Sequence, residues 1–74
     1  MVQADSFINL CVPKEEFIIV KQYGKIYYTG RAKGLDLREV SPYDIMKIES
    51  TSYTKHENDK TATIYPNVLE ITIG

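Results

Sequence analysis

Residues 17–30 read Phe-Ile-Ile-Val-Lys-Gln-Tyr-Gly-Lys-Ile-Tyr-Tyr-Thr-Gly, two runs of β-branched and aromatic residues about a Tyr23-Gly24 pair. This pattern predicts a β-hairpin, with strands over 17–22 and 25–29 closed by a tight turn. Strand periodicity puts Ile26 and Tyr28 on one face and Tyr27 on the other. The hairpin also carries Lys21 and Lys25 beside Tyr23, Tyr27 and Tyr28. It is therefore both the expected folding core and the most chemically loaded surface.

With 74 residues the chain is expected to form one domain, residues 1–74. A chain this short buries only roughly 60% of the surface that it exposes when unfolded. Small domains commonly add a disulfide, a metal or a partner subunit. One cysteine allows no internal disulfide, and one cysteine with one histidine cannot supply the four ligands of a structural zinc site. No metal or cofactor is expected, which leaves a partner or a second copy, as a homodimer, as the remaining aid. Cys11, within Ile8-Asn9-Leu10-Cys11-Val12, reads as a small buried or half-buried apolar residue.

The formal charge is −1, from 9 basic and 10 acidic side chains, which selects no partner class. No apolar run approaches the ~20 residues that span a bilayer. Met1-Val2-Gln3-Ala4-Asp5 lacks the basic start and apolar centre of a signal peptide. A cytoplasmic location is expected, with Cys11 reduced.

Ahead of the hairpin, 7–12 is apolar with one polar break, Asn9, and predicts a first strand with Ile8, Leu10 and Val12 on one face, ended by Pro13. This strand is the expected place for self-pairing. The segment 30–40 is irregular, with Gly30 and Gly34 permitting positive φ and Asp36–Val40 suited to one helical turn. Ser41-Pro42-Tyr43-Asp44 suits a helix start or a type I turn with proline second. Ile45–Tyr53 alternates as a half-buried strand, 54–60 is a polar hairpin loop, and 61–65 is a short strand. Pro66-Asn67 predicts a turn, and 68–73 a last strand with Leu69, Ile71 and Ile73 inward.

The expected fold is therefore mainly β (α+β at most). Five or six short strands should form a small antiparallel sheet that curls into a partly open barrel, with at most one short helical turn. Ile19, Ile26, Tyr28, Ile48, Leu69 and Ile71 are the expected core.

Catalytic chemistry has little purchase here. His56 stands in a polar loop, and no Ser-His-Asp, Cys-His or paired-carboxylate arrangement follows from spacing. Gly30-Arg31-Ala32-Lys33-Gly34 lacks the spacing of a phosphate loop. A non-enzymatic protein is expected. The candidate binding residues are Lys21, Tyr23, Lys25, Tyr27, Arg31, Lys33 and Arg38. From Lys21 to Arg38 five cations face one anion, Asp36, so this segment is positive by four and the remainder negative by five. Cations with interleaved aromatics suit nucleic acid, phosphates pairing with the former and bases stacking on the latter. Solvated lysines on a hairpin give the same pattern, and a dedicated nucleic-acid binder is typically basic overall. An acidic set, Glu39, Asp44, Glu49, Glu57, Asp59 and Glu70, would form an opposite pole if its members shared a face.

The run KIYYTGRAKGLDLREVSPYDIMKIES, followed by VLEITI, resembles small proteins of phages and mobile elements in Gram-positive bacteria. The resemblance spans residues 25–73 and rests on Tyr28, Gly30, Ala32, Lys33, Ile48, Leu69, Ile71 and Ile73, with 54–65 as an insertion. It implies a protein that binds and blocks host machinery, a CRISPR effector or other defence nuclease being the kind of target. The segment YGKIYYTGRAKGLD also resembles the first motif of Sm-like RNA-binding barrels. Its glycines are one residue too far apart, no asparagine follows Asp36, and no N-terminal helix is expected, so this reads as convergence on a bent strand. The expected function is binding of another protein, as an inhibitor. The alternatives are a nucleic-acid-binding or regulatory module and a structural subunit of a virion or conjugation assembly.

Overall fold

A computed structural model describes residues 2–74. Its elements run α1 (Ala4–Cys11), β1 (Phe17–Gln22), β2 (Lys25–Arg31), a 3-10 turn (Ala32–Gly34), α2 (Leu37–Val40), β3 (Ile45–His56) and β4 (Ala62–Ile73). The four strands form one sheet in the order β2-β1-β4-β3. Both hairpins are antiparallel, but they join through β1 and β4, which run parallel from Ile18 beside Leu69 to Gln22 beside Ile73.

The mainly-β expectation holds at that level. The sheet is mixed and open, not an antiparallel partial barrel, and it has four strands rather than five or six. Two errors explain the difference. Residues 7–12 are not a strand but most of a helix. Ala4 and Ile8 on α1, and Val12 just beyond it, are buried, which is a four-residue period. Leu10, expected inward with Ile8, is 80% exposed. Cys11 is exposed too, contrary to its expected burial. An N-terminal helix therefore does precede the hairpin.

The other error lies at Pro66. The expected strands 61–65 and 68–73 are one continuous strand. The ladder with β3 shifts between Thr51 and Tyr53, so Pro66 and Asn67 stand opposite Ser52 alone. Proline is tolerated in a sheet at such a bulge, where its missing N–H costs no ladder bond. The polar loop shrinks accordingly, and β3 runs to His56.

The Tyr23-Gly24 turn forms as expected. Both residues have positive φ, 52° and 78°, the geometry of a type I′ hairpin turn. Asp36 caps α2, its carboxylate accepting from the Arg38 N–H at 3.0 Å. The turn after α2 closes from Tyr43 N–H to the Val40 carbonyl. Gly34 has a different reason from the expected one. A Cβ there would lie 2.5 Å from the Tyr28 hydroxyl, which donates to the Arg31 carbonyl at 2.7 Å.

The helices and the 3-10 turn all cover one face of the sheet. Ala4, Ile8, Val12, Ala32, Leu35 and Val40 pack on Ile18 and Val20 of β1 and Ile71 and Ile73 of β4. Each aliphatic side chain fully buried there is worth about 1.5–3 kcal/mol. Of the expected core, Ile71 and the half-buried Tyr28 and Leu69 belong to this cluster. Ile19 is buried but points to the other face, between Ile18 and Val20 in a strand of period two. Ile48 shares the Ile71 row yet lies on the edge strand and is 42% exposed. Ile26 is not in the core at all. The register of β1 against β2 slips at Tyr27, pairing Val20 with Tyr28 but Lys21 with Ile26. The bulge reverses the alternation, so Ile26 joins Lys21 on the face without helices.

A helix over 4–11 and a strand over 7–12 predict different responses to truncation. Ile8→Ala should cost about 2–5 kcal/mol, because it opens a cavity in the helix–sheet layer. Leu10→Ala should stay within about 0.5 kcal/mol of the parent. Urea or thermal unfolding of the two variants checks this; equal losses would restore the strand.

Candidate functional site

The seven candidate binding residues do not form one patch. Lys21 stands on the helix-free face, where its Nζ meets Glu70 Oε1 at 2.9 Å above the buried Ile19. Tyr23 and Lys25 sit at the hairpin turn, both exposed. Tyr27 is the bulge residue, and its hydroxyl donates to Glu39 Oε2 at 3.2 Å, toward α2. Arg31 ends β2 and donates from Nη1 to the Glu15 carbonyl at 2.6 Å. Lys33 pairs with the Glu15 carboxylate at 2.9 Å. Arg38 forks onto Asp36, with Nε and Nη2 donating at 3.1 and 3.0 Å.

The segment that is net positive in sequence is thus largely neutralised in space. Lys21, Lys33 and Arg38 each carry a carboxylate partner. Lys33 holds the Glu15 carboxyl below its usual range, first by hydrogen bonding and then by charge. Arg38 does the same to Asp36. The Lys33 and Arg38 pairs are exposed and add little to stability, while Lys21–Glu70 is half-buried; each carboxylate lowers what its cation can offer a phosphate. Of the hairpin cations, Lys25 and Arg31 have no ion-pair partner among the described residues, and Arg31 is held by the Glu15 carbonyl. Glu49 and Glu70 are cross-strand neighbours on the helix-free face, but Glu49 pairs with Lys47, Glu70 with Lys21 and Glu57 with Lys55, while Glu39 serves Tyr27, so the acidic set is interleaved with lysines rather than forming a negative pole.

Two surfaces do gather side chains. The first is the hairpin tip. Gln22, Tyr23, Lys25, Ile26 and Tyr27 line a shallow cleft there. Tyr23 is 81% exposed, Ile26 58% and Tyr27 42%. Tyr23 was legible as a candidate, but Ile26 was assigned to the core; only the slip at Tyr27 turns it outward. Such a bulge leaves no clear mark in sequence beyond two adjacent tyrosines.

The second surface is the helix-free face of the sheet. At its far end Phe17 stacks on Tyr65, ring centroids 4.1 Å apart and planes 15° from parallel, and on Tyr53 at 5.5 Å. The three rings come from β1, β3 and β4, far apart in sequence. Neither Tyr53 nor Tyr65 was singled out from sequence, because their proximity depends on the sheet order. The rings are half-buried and stacked on one another, on the face that also holds the buried Ile19 and Val68. Aromatics on an open sheet can stack bases. Here their faces are already in use.

Among the described residues, no group of three or more His, Cys, Asp or Glu side chains could hold a metal ion. No helix among them is long and apolar enough to cross a membrane. Comparison of the chain with family models, curated proteins and solved structures finds no match.

Tyr27 carries a measurable signature of the tip. Loss of water around the ring, and next the hydrogen bond and charge of Glu39, raise its pKa above the ordinary tyrosine value. The folded state therefore favours the neutral phenol. The stabilisation from this group is complete below the unfolded pKa and is lost as pH rises through the folded one. Glu39→Gln should lower the Tyr27 pKa without returning it fully, since desolvation is the larger cause. An NMR titration of labelled tyrosine rings reads this directly, and an unchanged Tyr27 curve would remove the Glu39 contact.

Proposed function

We propose that the protein is a non-enzymatic binding module whose hairpin tip inserts into an apolar, acid-rimmed recess of another protein. The observation that carries this reading is Tyr23. At φ 52° a tyrosine occupies the first central position of a type I′ turn, where asparagine, aspartate or glycine is favoured. Its ring is 81% exposed, so it recovers none of that cost by packing within the fold. A strained residue that contributes nothing to its own fold supports a role outside it. Ile26 and Tyr27 extend the same apolar surface, and Lys25 supplies an unpaired charge beside them. Tyrosine and nearby apolar side chains are the anchors that carry most binding energy in protein interfaces.

The resemblance to small phage and mobile-element proteins directs the choice of partner to host defence machinery, with a nuclease of the CRISPR type as the working target and inhibition as the outcome. Binding of free nucleic acid is disfavoured, because the Lys21, Lys33 and Arg38 charges are matched within the chain.

Tyr23→Asn separates stability from function. It should raise the unfolding midpoint, by about 0.5–1 kcal/mol of stability, because asparagine tolerates the left-handed region. The same variant should lose the partner that the tagged parent protein retains from host lysate, and Lys25→Glu should weaken retention at unchanged stability. Capture that survives both changes overturns the tip reading. Tight binding of free RNA or DNA that falls steeply with salt would promote the nucleic-acid reading instead.

A further inference from the structure

β3 is an edge of the sheet. Its first residue is covered, since Ile45 N–H donates to the Val2 carbonyl at 2.8 Å beside the Gln3–Asp44 bridge. From Met46 to His56, no described residue pairs with its outer side. Such an edge is a template for another strand, and proteins usually blunt it with proline, a bulge or inward charges. Here proline and bulge are displaced, and the edge's charged side chains alternate in sign. The β3 bulge lies at Met46, the first residue of the free stretch, and the extra residue near Ser52 belongs to β4. From Lys47 to His56 the strand is regular and free of proline.

The charges along this edge read Lys47, Glu49 and Lys55, at odd positions and so toward the helix-free face, with Glu57 one residue beyond the strand's end. Read backward, the series has the opposite sign at every place. We infer that the outer edge of β3 pairs antiparallel with the same edge of a second copy, about a twofold axis at Ser52. Lys47 then faces the partner's Glu57, Glu49 faces the partner's Lys55, and Thr51 faces the partner's Tyr53. Opposite charges directly across an antiparallel pair attract, and like charges there repel. Moving the axis to Thr51 would oppose Lys47 to the partner's Lys55. Moving it to Tyr53 would oppose Glu49 to the partner's Glu57. Charge thus favours the Ser52 register over both of its neighbours. The two sheets become continuous, with their helix-free faces on one side. The hairpin tips stay clear at the far edges, so this inference does not depend on the tip reading.

The register is testable by cross-linking. In a Cys11→Ser background, needed because Cys11 is exposed, Ser52→Cys puts two thiols across the axis. Cα atoms directly opposite in an antiparallel pair are about 4.5–5.5 Å apart, within disulfide range. Mild oxidation should give a covalent dimer, whereas Thr54→Cys, opposite Ser50, should give none. Sedimentation should show the parent chain associating at high micromolar concentration. Glu49→Lys and Lys55→Glu should each remain monomeric alone but associate when mixed, because the mixed pair restores both contacts. Thermal melts confirm that each variant folds. A parent that stays monomeric, even if the edge accepts a strand of another protein, overturns the inference. So does equal cross-linking at 52 and 54, or a dimer that survives Lys55→Glu.

Discussion

The parallel contact between β1 and β4 organises the molecule. Two strands that run side by side in the same direction cannot be joined by a tight turn. The chain must leave the sheet and return. After β1 it makes the β2 hairpin, crosses from one edge of the sheet to the other over residues 32–44, and makes the β3 hairpin to reach β4. That crossing carries the 3-10 turn and α2, and with α1 it forms the only layer over the sheet among the described residues. Ile18, Val20, Ile71 and Ile73 lie where the two hairpins meet, and the buried core is built on them.

The parts that local sequence rules govern were legible, and the parts that depend on pairing were not. Tyr23-Gly24 announced its hairpin because turn chemistry is decided within four residues. Residues 7–12 misled because Ile8, Leu10 and Val12 fit a strand while Ala4, Ile8 and Val12 fit a helix. The deciding residue, Ala4, is too small to mark a face on its own. Pro66 misled because a missing N–H usually ends a strand, and only the bulge opposite Ser52 makes it harmless. Ile26 misled because one extra residue in β2 inverts the alternation beyond it. The candidate site suffered in the same way. Its cations were named correctly as residues, but their partners, Glu15, Glu70 and Asp36, could be matched to them only once the strands were in register.

One face of the sheet has no helical layer, and the chain covers it with its own surface residues. Ile19 and Val68 are 5% and 1% exposed there. The Lys21–Glu70 pair spans the middle of this face, and the Phe17, Tyr53 and Tyr65 rings close one end. The lysine stem covers apolar surface while its ammonium stays partly in water. This arrangement is inexpensive in chain length, which suits a domain of 74 residues. It also removes the face from service as a flat binding platform, because separating the rings or the ion pair would expose Ile19 and Val68.

What remains for recognition lies at the perimeter. The face with helices is spent on the core, and the other face is spent on covering itself. The β2 side ends in a strained turn that presents Tyr23, and the β3 side ends in a regular strand whose N–H and C=O groups look outward. Both features cost a small fold something: left-handed strain in one case, unpaired backbone in the other. A domain with about a dozen buried apolar residues has little stability to give up. Neither feature strengthens the core that supports it. Their placement at opposite edges lets each be occupied without moving that core, so the self-pairing inferred for β3 would leave the hairpin tip open to the protein partner proposed for it.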